Sequence, residues 1–313
     1  MSPTERLVSV IIPTYNCADY LPQAIESALA QVYPRIEIII IDDGSTDATE
    51  EAIRPYRPRV TYLKQPNSGV SRARNLGISL AQGNYIALLD ADDLWEPEKV
   101  ADQVDLFESD AEVGLVLTDT RVINILTGRK HVISYDMKCI TDPLPELARR
   151  CFPATSSVMI RKQCFDQVGG FDERLTYGED WDLYARIARK YKFGYVPKAH
   201  NVYRFHTSNQ MRNVNNLRLK RDNFFTVLDR IYCDPIWGEA LGRLRSAVFH
   251  EITFDTGAAY FYAGLLADAR AEFLLSLSYR PLHLRTLFYL LKTFLGNRNL
   301  ALARQLRAHA VAG

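Results

Sequence analysis

Five cysteines (Cys17, Cys139, Cys151, Cys164 and Cys233) are spread over 313 residues, odd in number and without CxxC spacing. Neither a disulfide framework nor a structural zinc site is expected from them; a reduced, cytoplasmic chain is. No apolar run reaches the ~18 residues that a membrane span needs. The opening stretch MSPTERLVSV lacks a charged segment followed by an apolar core, so no secretion signal is expected. An excess of one charge is missing too: 38 Lys and Arg against 37 Asp and Glu leave a net charge of +1. That balance predicts no nucleic-acid partner held by a general electrostatic field. Neither GxxxxGKS/T nor GxGxxG occurs, which removes the P-loop kinase and dinucleotide dehydrogenase readings.

What is present is an ordinary globular composition, 47% apolar and 24% charged, distributed unevenly. Residues 1–212 carry 25 basic and 29 acidic side chains, whereas 213–313 carry 13 and 8. Two regions are expected, 1–212 and 213–313. In the first, short continuous apolar runs alternate with helical periodicity: VSVII (8–12), IEIIII (36–41), VTYLK (60–64), YIALL (85–89) and VGLVLT (113–118) read as strands. Between them, 19–31, about 47–57, 68–82 and EPEKVADQVDLFES read as helices. Asp19 is the expected N-cap of the first, and Gly83 the expected C′ residue that stops the third. Strands apolar without alternation are buried on both faces, so the start is a parallel α/β sheet covered by helices. From 120 to 210 the pattern becomes mixed, with strands at SSVMI (156–160) and NVYRF (201–205) and an amphipathic helix at EDWDLYARIARKY (179–191).

Ligands of such sheets bind beyond the carboxyl ends of the strands. Three polar clusters fall there: Thr14-Tyr15-Asn16, Asp42-Asp43, and Asp90-Ala91-Asp92-Asp93. Carboxylates this close repel unless a cation neutralises them, and oxygen ligands suit Mg²⁺ or Mn²⁺. The competing reading of the third cluster is an acidic turn in which Asp93 caps a helix. For Asp43 it is a glycine turn, with Thr46 or Asp47 as the cap of the next helix. Arg72 and Arg74 stand near a helix start that suits a phosphate, or are solvated. Glu179, Asp180 and Asp182 open a helix, where acids meet the helix dipole favourably; with Trp181 they equally form a sugar platform beside a base. His206, alone on spacing, carries no assignment.

Taken in order, VSVIIPTYN (8–16), IDDGSTDAT (41–49), NSGVSRARNLGI (67–78), YIALLDADDLW (85–95), GGFDE (169–173) and GEDWDLYARI (178–187) resemble the successive motifs of the family 2 glycosyltransferases. The resemblance covers roughly 7–210. It implies the GT-A nucleotide-diphospho-sugar transferase fold, a Rossmann-like mixed sheet covered by helices, and an inverting, metal-dependent transfer from a nucleotide-sugar to a saccharide or lipid-linked acceptor. It implies that Pro13, Thr14 and Tyr15 line the nucleotide pocket, with Asn16, Asn75, Ala91, Glu179 and Trp181 in the donor site. Asp43 would bind the base, Asp90 the ribose side, and Arg74 the diphosphate. Asp92 would ligate the metal, His206 would stand near metal and diphosphate, and Asp180 would be the general base. Ser208 and Asn209 follow the histidine without an assigned role. An acidic contact from Asp43 fits the N3–H of uracil or thymine, and guanine also offers donors.

Two other classes compete. LLDAD also resembles the first motif of haloacid-dehalogenase-type phosphotransferases, but those carry it after the first strand, and Leu94 stands where Thr or Val is usual. A non-catalytic carbohydrate-binding protein on the same fold is the other.

Beyond 213 the chain reads as helical. Gly257-x-x-Tyr260, Ala269-x-x-x-Phe273 and Pro281 match one tetratricopeptide-like hairpin, packed on its neighbours rather than forming an array. Within 280–313 lie Arg280, Arg285, Lys292, Arg298, Arg304 and Arg307 with no acid, interleaved with Leu284, Leu287, Phe288, Leu290, Leu291, Phe294 and Leu295. Either this segment is a peripheral contact with the inner face of an anionic membrane, or Leu287, Leu291 and Leu295 pack on the hairpin and the arginines are solvated. The sequence names no oligomeric state.

Overall fold

The computed structural model describes residues 6–206 and 214–294. The chain divides into two compact units, 1–209 and 210–313. In the first, β1 (Val8–Thr14), α1 (Leu21–Leu29), β2 (Ile36–Asp42), α2 (Thr49–Ile53), β3 (Thr61–Lys64), α3 (Val70–Leu80) and β4 (Tyr85–Leu88) alternate as expected. Then come β5 (Leu94–Trp95), α4 (Lys99–Ser109), β6 (Val113–Asn124), β7 (Lys130–Ile133), α5 (Met137–Thr141) and α6 (Leu144–Leu147). The unit closes with β8 (Met159–Arg161), α7 (Gln163–Val168), α8 (Glu179–Ala188) and β9 (Lys192–Phe205).

The strands form one sheet in the order β3-β2-β1-β4-β8-β6-β9-β5, with β7 added beside β6. The first four are mutually parallel, with Val8 opposite Ile36 and Tyr85. Their interior is the unbroken run of apolar residues: Val10, Ile11 and Ile12 on β1 and Ile38 to Ile41 on β2 are all buried. Both faces must therefore be covered, and Leu21, Ala24, Ile25 and Ala28 of α1 belong to the cluster that covers one of them. β8 runs antiparallel to both β4 and β6, and β6 is parallel to β9, which makes the sheet mixed.

Parallel alignment brings the ends of β1 and β2 to one edge, together with the residues that follow β4. The backbone N–H of Asp43 donates to the Thr14 carbonyl at 2.8 Å, locking two of the polar clusters together. Two local expectations fail. The N-cap of α1 is Tyr20, not Asp19, and no side chain caps it. Gly83 does not end α3, which stops at Leu80. A Cβ on Gly83 would lie 2.6 Å from the Ser9 hydroxyl and 2.7 Å from the Leu7 carbonyl, so glycine there permits close approach to β1.

The second unit comprises α9 (Leu217–Tyr232), α10 (Gly238–Gly242), α11 (Arg245–Ala263), α12 (Leu266–Tyr279) and α13 (Leu284–Lys292). Helices α11 and α12 pack through Phe254, Tyr260, Phe261, Ala269 and Phe273. A Cβ on Gly257 would sit 2.8 Å from the Phe273 ring, so these helices meet where only glycine fits. No described helix is long and apolar enough to cross a membrane. Leu291 is 66% exposed and Leu284 80%, while Leu287 is half-buried. Packing through Leu291 is therefore not observed. Leu295, Arg298, Arg304 and Arg307 lie outside the described residues, as do Ser208 and Asn209.

Candidate active site

The site is built from loops that leave the strand ends. After β1 the chain turns sharply at Asn16, the one non-glycine residue with a left-handed φ (49°) among the described residues. The Asn16 side-chain carbonyl accepts from the N–H groups of Thr46 (2.7 Å) and Asp47 (3.3 Å), and its own N–H donates to Ser45 Oγ at 2.9 Å. Asn16 thus closes the two loops on each other. Thr14 is buried beside it and Tyr15 is 45% exposed at the rim. Pro13 precedes them within β1, buried.

Asp42 and Asp43 divide the work of the second loop. Asp42 is wholly buried and holds its own turn: Oδ1 accepts from Ser45 N–H at 2.7 Å and Oδ2 from the Tyr62 hydroxyl at 2.7 Å. Asp43 accepts from Gln65 Nε2 (2.6 Å), Ser68 N–H (2.8 Å) and Gly69 N–H (2.8 Å). Three donors fix its carboxylate at the mouth of the loop that leads into α3.

The third cluster has three acids with three different surroundings. Asp90 receives Arg74 Nη2 at 2.7 Å, and its backbone N–H donates to Ser156 Oγ at 3.0 Å. Asp92 Oδ2 stands 3.0 Å from His206 Nε2. Burial, with Asp90 nearby, raises the Asp92 carboxyl above its usual range. Asp93 is buried, and burial together with Asp92 and Asp90 pushes its carboxyl well up. It accepts from the Arg204 N–H at 3.3 Å, so it is an interior brace and not a helix cap. Arg204 extends over the Tyr20 ring to Gln23 Oε1 (2.5 Å), and the same tyrosine stacks on His206 with centroids 4.6 Å apart. His206 is thereby held against Asp92 by an aromatic wall. Ala91, between Asp90 and Asp92 in sequence, is buried.

Arg74 joins this cluster to α8. Its guanidinium is buried, giving Nη1 to Glu179 Oε1 at 2.7 Å and Nη2 to Asp90. Desolvation opposes its charge, but Asp90 and Glu179 outweigh that and raise its pKa. Glu179 is pushed up to about 7, because burial and the neighbouring Asp180 exceed the pull of Arg74. Asp180 is also raised by burial, against Arg74 and hydrogen bonds from Trp181 N–H (2.7 Å) and Thr155 Oγ1 (3.1 Å). The pair thus stays near its proton equilibrium closer to neutrality than ordinary carboxylates do.

Two expected donor-site residues have their polar groups engaged by the fold. Trp181 is 2% exposed and gives its indole N–H to the Leu147 carbonyl at 2.7 Å, so it is a core residue and no platform for a sugar ring. Asn75 spends its amide on the GGFDE segment, donating to the Phe171 carbonyl (2.9 Å) and accepting the Phe171 N–H (2.8 Å). Arg72 is exposed. Reading of the sequence missed Thr155 and Ser156, which sit in a short turn ahead of β8, and Tyr20 and Gln23, which hold His206 and Arg204. The only signal for the former was a run of small hydroxyl residues, TSS, before an apolar strand.

No group of three or more His, Cys, Asp or Glu side chains among the described residues is arranged as a metal cage. A divalent ion that bridges to phosphates needs only one or two protein ligands. Asp92 and His206 set a carboxylate oxygen beside an imidazole nitrogen, a donor pair such an ion accepts, and Asp90 nearby adds negative charge for a cation to neutralise. The two residues fit the group.

Residues 9–169 match the family described as Glycosyl transferase family 2. An uncharacterised glycosyltransferase of Rickettsia prowazekii is 34% identical over 190 residues, covering 58% of this chain and 59% of that protein. The chondroitin synthase of Escherichia coli is 30% identical over 230 residues, 71% of this chain but 32% of the synthase. The chain therefore spans 59% of the first relative's length and 32% of the second's. Among solved structures, residues 1–349 of S. aureus TarS superpose with a TM-score of 0.62 at 18% identity, covering 92% of this chain and 89% of that one. The mannosyltransferase PcManGT from Pyrobaculum calidifontis, in complex with GDP-Man and Mn²⁺, gives 0.61 at 19% identity, covering 99% and 86%. The likeness to both is in the fold, of the GT-A kind.

Proposed function

The chain belongs to glycosyl transferase family 2, and on that premise we propose that it transfers a sugar, with inversion, from a UDP-sugar to a hydroxyl of a saccharide or lipid-linked glycan. The observation that carries the reading is the continuous line from Asp92–His206 through Asp90 and Arg74 to Glu179–Asp180. One end suits a metal-bound diphosphate and the other a proton acceptor. Family members related by sequence include chondroitin synthase, and TarS has been solved with UDP-GlcNAc, which favours a hexose donor carried on UDP. PcManGT was solved with GDP-Man, so GDP-sugars form the control.

In this reading, Pro13, Thr14 and Tyr15 line the nucleotide pocket. Asp43, fixed by three donors, accepts the N3–H of the base. Arg74 orients Asp90 toward the ribose through its Nη2. Asp92 and His206 would hold Mn²⁺ or Mg²⁺, which would supply charge neutralisation for the diphosphate. The Asp180 carboxylate takes the proton of the acceptor hydroxyl as its oxygen bonds to the anomeric carbon. The bond from that carbon to the diphosphate oxygen breaks in the same displacement, so no enzyme nucleophile is needed. The basic, acid-free segment 280–313 supports a peripheral membrane contact, which would bring the protein to a lipid-linked acceptor.

Thermal melting with UDP or GDP, each with and without Mn²⁺, tests the donor assignment. A rise in the midpoint is expected with UDP and Mn²⁺ together, and Asp92→Ala should abolish the metal-dependent part while melting normally alone. An unchanged response in the variant removes Asp92 from the metal site. Hydrolysis of UDP-GlcNAc by the parent separates an enzyme from a sugar-binding protein on the same fold.

A further inference from the structure

The turn Thr155-Ser156-Ser157 touches both ends of the candidate site and belongs to neither. Thr155 Oγ1 donates to Asp180 Oδ2 at 3.1 Å. Ser156 Oγ accepts the Asp90 N–H at 3.0 Å and is hydrogen-bonded to the Asp93 carboxyl. The turn is itself clamped from behind. The Ser156 carbonyl accepts the Trp95 indole N–H at 2.7 Å. Gln103 Nε2 donates to the Ser157 carbonyl (3.0 Å) and to the Val116 carbonyl (2.9 Å). Ser157 closes the turn on Ala154 through its N–H (2.9 Å) and its hydroxyl (2.7 Å). Ser156 and Ser157 are buried, so these bonds are not shared with bulk water.

We infer that this turn is a positioning element for the reaction proposed above, with Thr155 aiming the Asp180 carboxylate and Ser156 fixing the backbone that carries Asp90 and Asp92. The inference rests on that reading of the site. Its logic is geometric. A carboxylate on the first turn of a helix can rotate, and the Trp181 N–H restrains only Oδ1. Thr155 restrains the other oxygen. Misplacement of a reacting group by about 1 Å costs on the order of 10²-fold in rate, so a restraint on each oxygen matters. Thr155 also favours the ionised carboxyl. The other groups facing Asp180 are Arg74, Asp90, Glu179, Cys151 and Tyr184, and of these only Arg74 favours ionisation. Removing the Thr155 hydroxyl leaves Arg74 and the Trp181 N–H against the desolvation of a buried acid.

The test compares Thr155→Val, Thr155→Ser and Ser156→Ala with the parent. The readouts are hydrolysis of UDP-GlcNAc over a pH series and calorimetric binding of UDP with Mn²⁺. Thr155→Val should lower kcat by about tenfold or more, leave UDP binding unchanged, and move the acid limb of the rate profile to higher pH. Thr155→Ser should restore both. Ser156→Ala should instead weaken UDP binding in the presence of Mn²⁺ and leave the acid limb where it is. Circular-dichroism melting identifies a variant that does not fold, and Thr155→Ala, which also removes the hydroxyl, then carries the comparison with Thr155→Ser. A parent that turns over while Thr155→Val keeps its rate and pH profile overturns the inference and leaves the proposed function standing. A parent that neither binds UDP nor hydrolyses the donor overturns the function, and the inference with it.

Discussion

Glu179 and Asp180 are adjacent acids in one buried corner, yet their partners differ, and that difference assigns their work. Glu179 accepts from Arg74 Nη1, whereas Asp180 accepts from Thr155 and the Trp181 N–H with Arg74 only nearby. Asp180→Asn keeps the shape and the Thr155 contact but cannot take a proton. Transfer or donor hydrolysis should fall by roughly 10²-fold or more, with UDP binding intact, the scale of a lost general base. A variant that turns over at the parent rate returns Asp180 to the role of an acid at a helix start. Glu179 gives a stability prediction. Its folded pKa of about 7 lies above the ordinary 4.5, so the folded state keeps a proton that the unfolded chain releases. The associated stability is present below pH 4.5 and is lost as pH rises through 7. Glu179→Gln lacks that loss, so its advantage over the parent should grow between about pH 4.5 and 8, by on the order of 1–3 kcal/mol. Urea denaturation at several pH values checks this; a constant difference would mean Glu179 does not titrate in that window. At this scale the sequence displays the acids at the strand ends but not their division of labour, since Asp42 and Asp93 brace the fold beside Asp43, Asp90 and Asp92. It does not display Trp181 as a core residue, since the Leu147 carbonyl that takes its N–H is 34 residues away.

The elements were legible where burial is two-sided. β1, β2 and β4 are runs of apolar residues too short for helices, and their spacing with α1 and α3 fixes the parallel half of the sheet. The mixed half was less so. β5 is two residues long and exists because β9 pairs with it, Leu94 opposite Val202. SSVMI shows only as a strand in outline, for its first residues are the turn that reaches Asp90 and only Met159–Arg161 pair. α4 holds a feature no periodicity reveals. Lys99 is fully buried, with Nζ on Gln103 Oε1 (2.8 Å) and 4.1 Å above the Trp95 ring. The indole face favours the cation, but desolvation wins and its pKa falls well below 10.5. Folding must therefore strip a proton that the unfolded chain keeps up to 10.5, and that cost shrinks as pH rises toward that value. Lys99→Met should stabilise the protein by about 1–3 kcal/mol near pH 6, with the gain narrowing by pH 9, less what the unpaired Gln103 carbonyl returns. A gain independent of pH would show that Lys99 is charged in the folded state.

For the whole molecule, the second unit bears on where the proposed transfer would take place. Helix α13 turns Tyr289 into the aromatic cluster of Phe254, Phe261 and Phe273, and buries Thr286. The other side is left bare: Leu284 is 80% exposed, Phe288 55% and Leu291 66%. Positions i, i+4 and i+7 make one stripe along a helix. Beside the stripe Lys292 Nζ lies 4.1 Å over the Phe288 ring, and the sequence has no acid after Glu272. An apolar stripe on a helix that carries cations and no acid of its own suits the boundary of an anionic bilayer, where each basic residue near the surface contributes about 1 kcal/mol. The arrangement also explains why the sequence left two readings open, since Leu287 and Leu291 differ by one turn in pattern but face different surroundings. Sedimentation with vesicles of phosphatidylglycerol and phosphatidylcholine decides between them. Binding should require the anionic lipid and weaken with salt, because surface charge is screened over roughly 10 Å at 0.1 M. The double variant Leu284→Ser, Phe288→Ser should release the protein while its donor hydrolysis stays at the parent level, because neither residue lies in the unit that holds the candidate site. If the parent stays in the supernatant at low salt with fully anionic vesicles, the stripe serves something other than a membrane and the peripheral location falls.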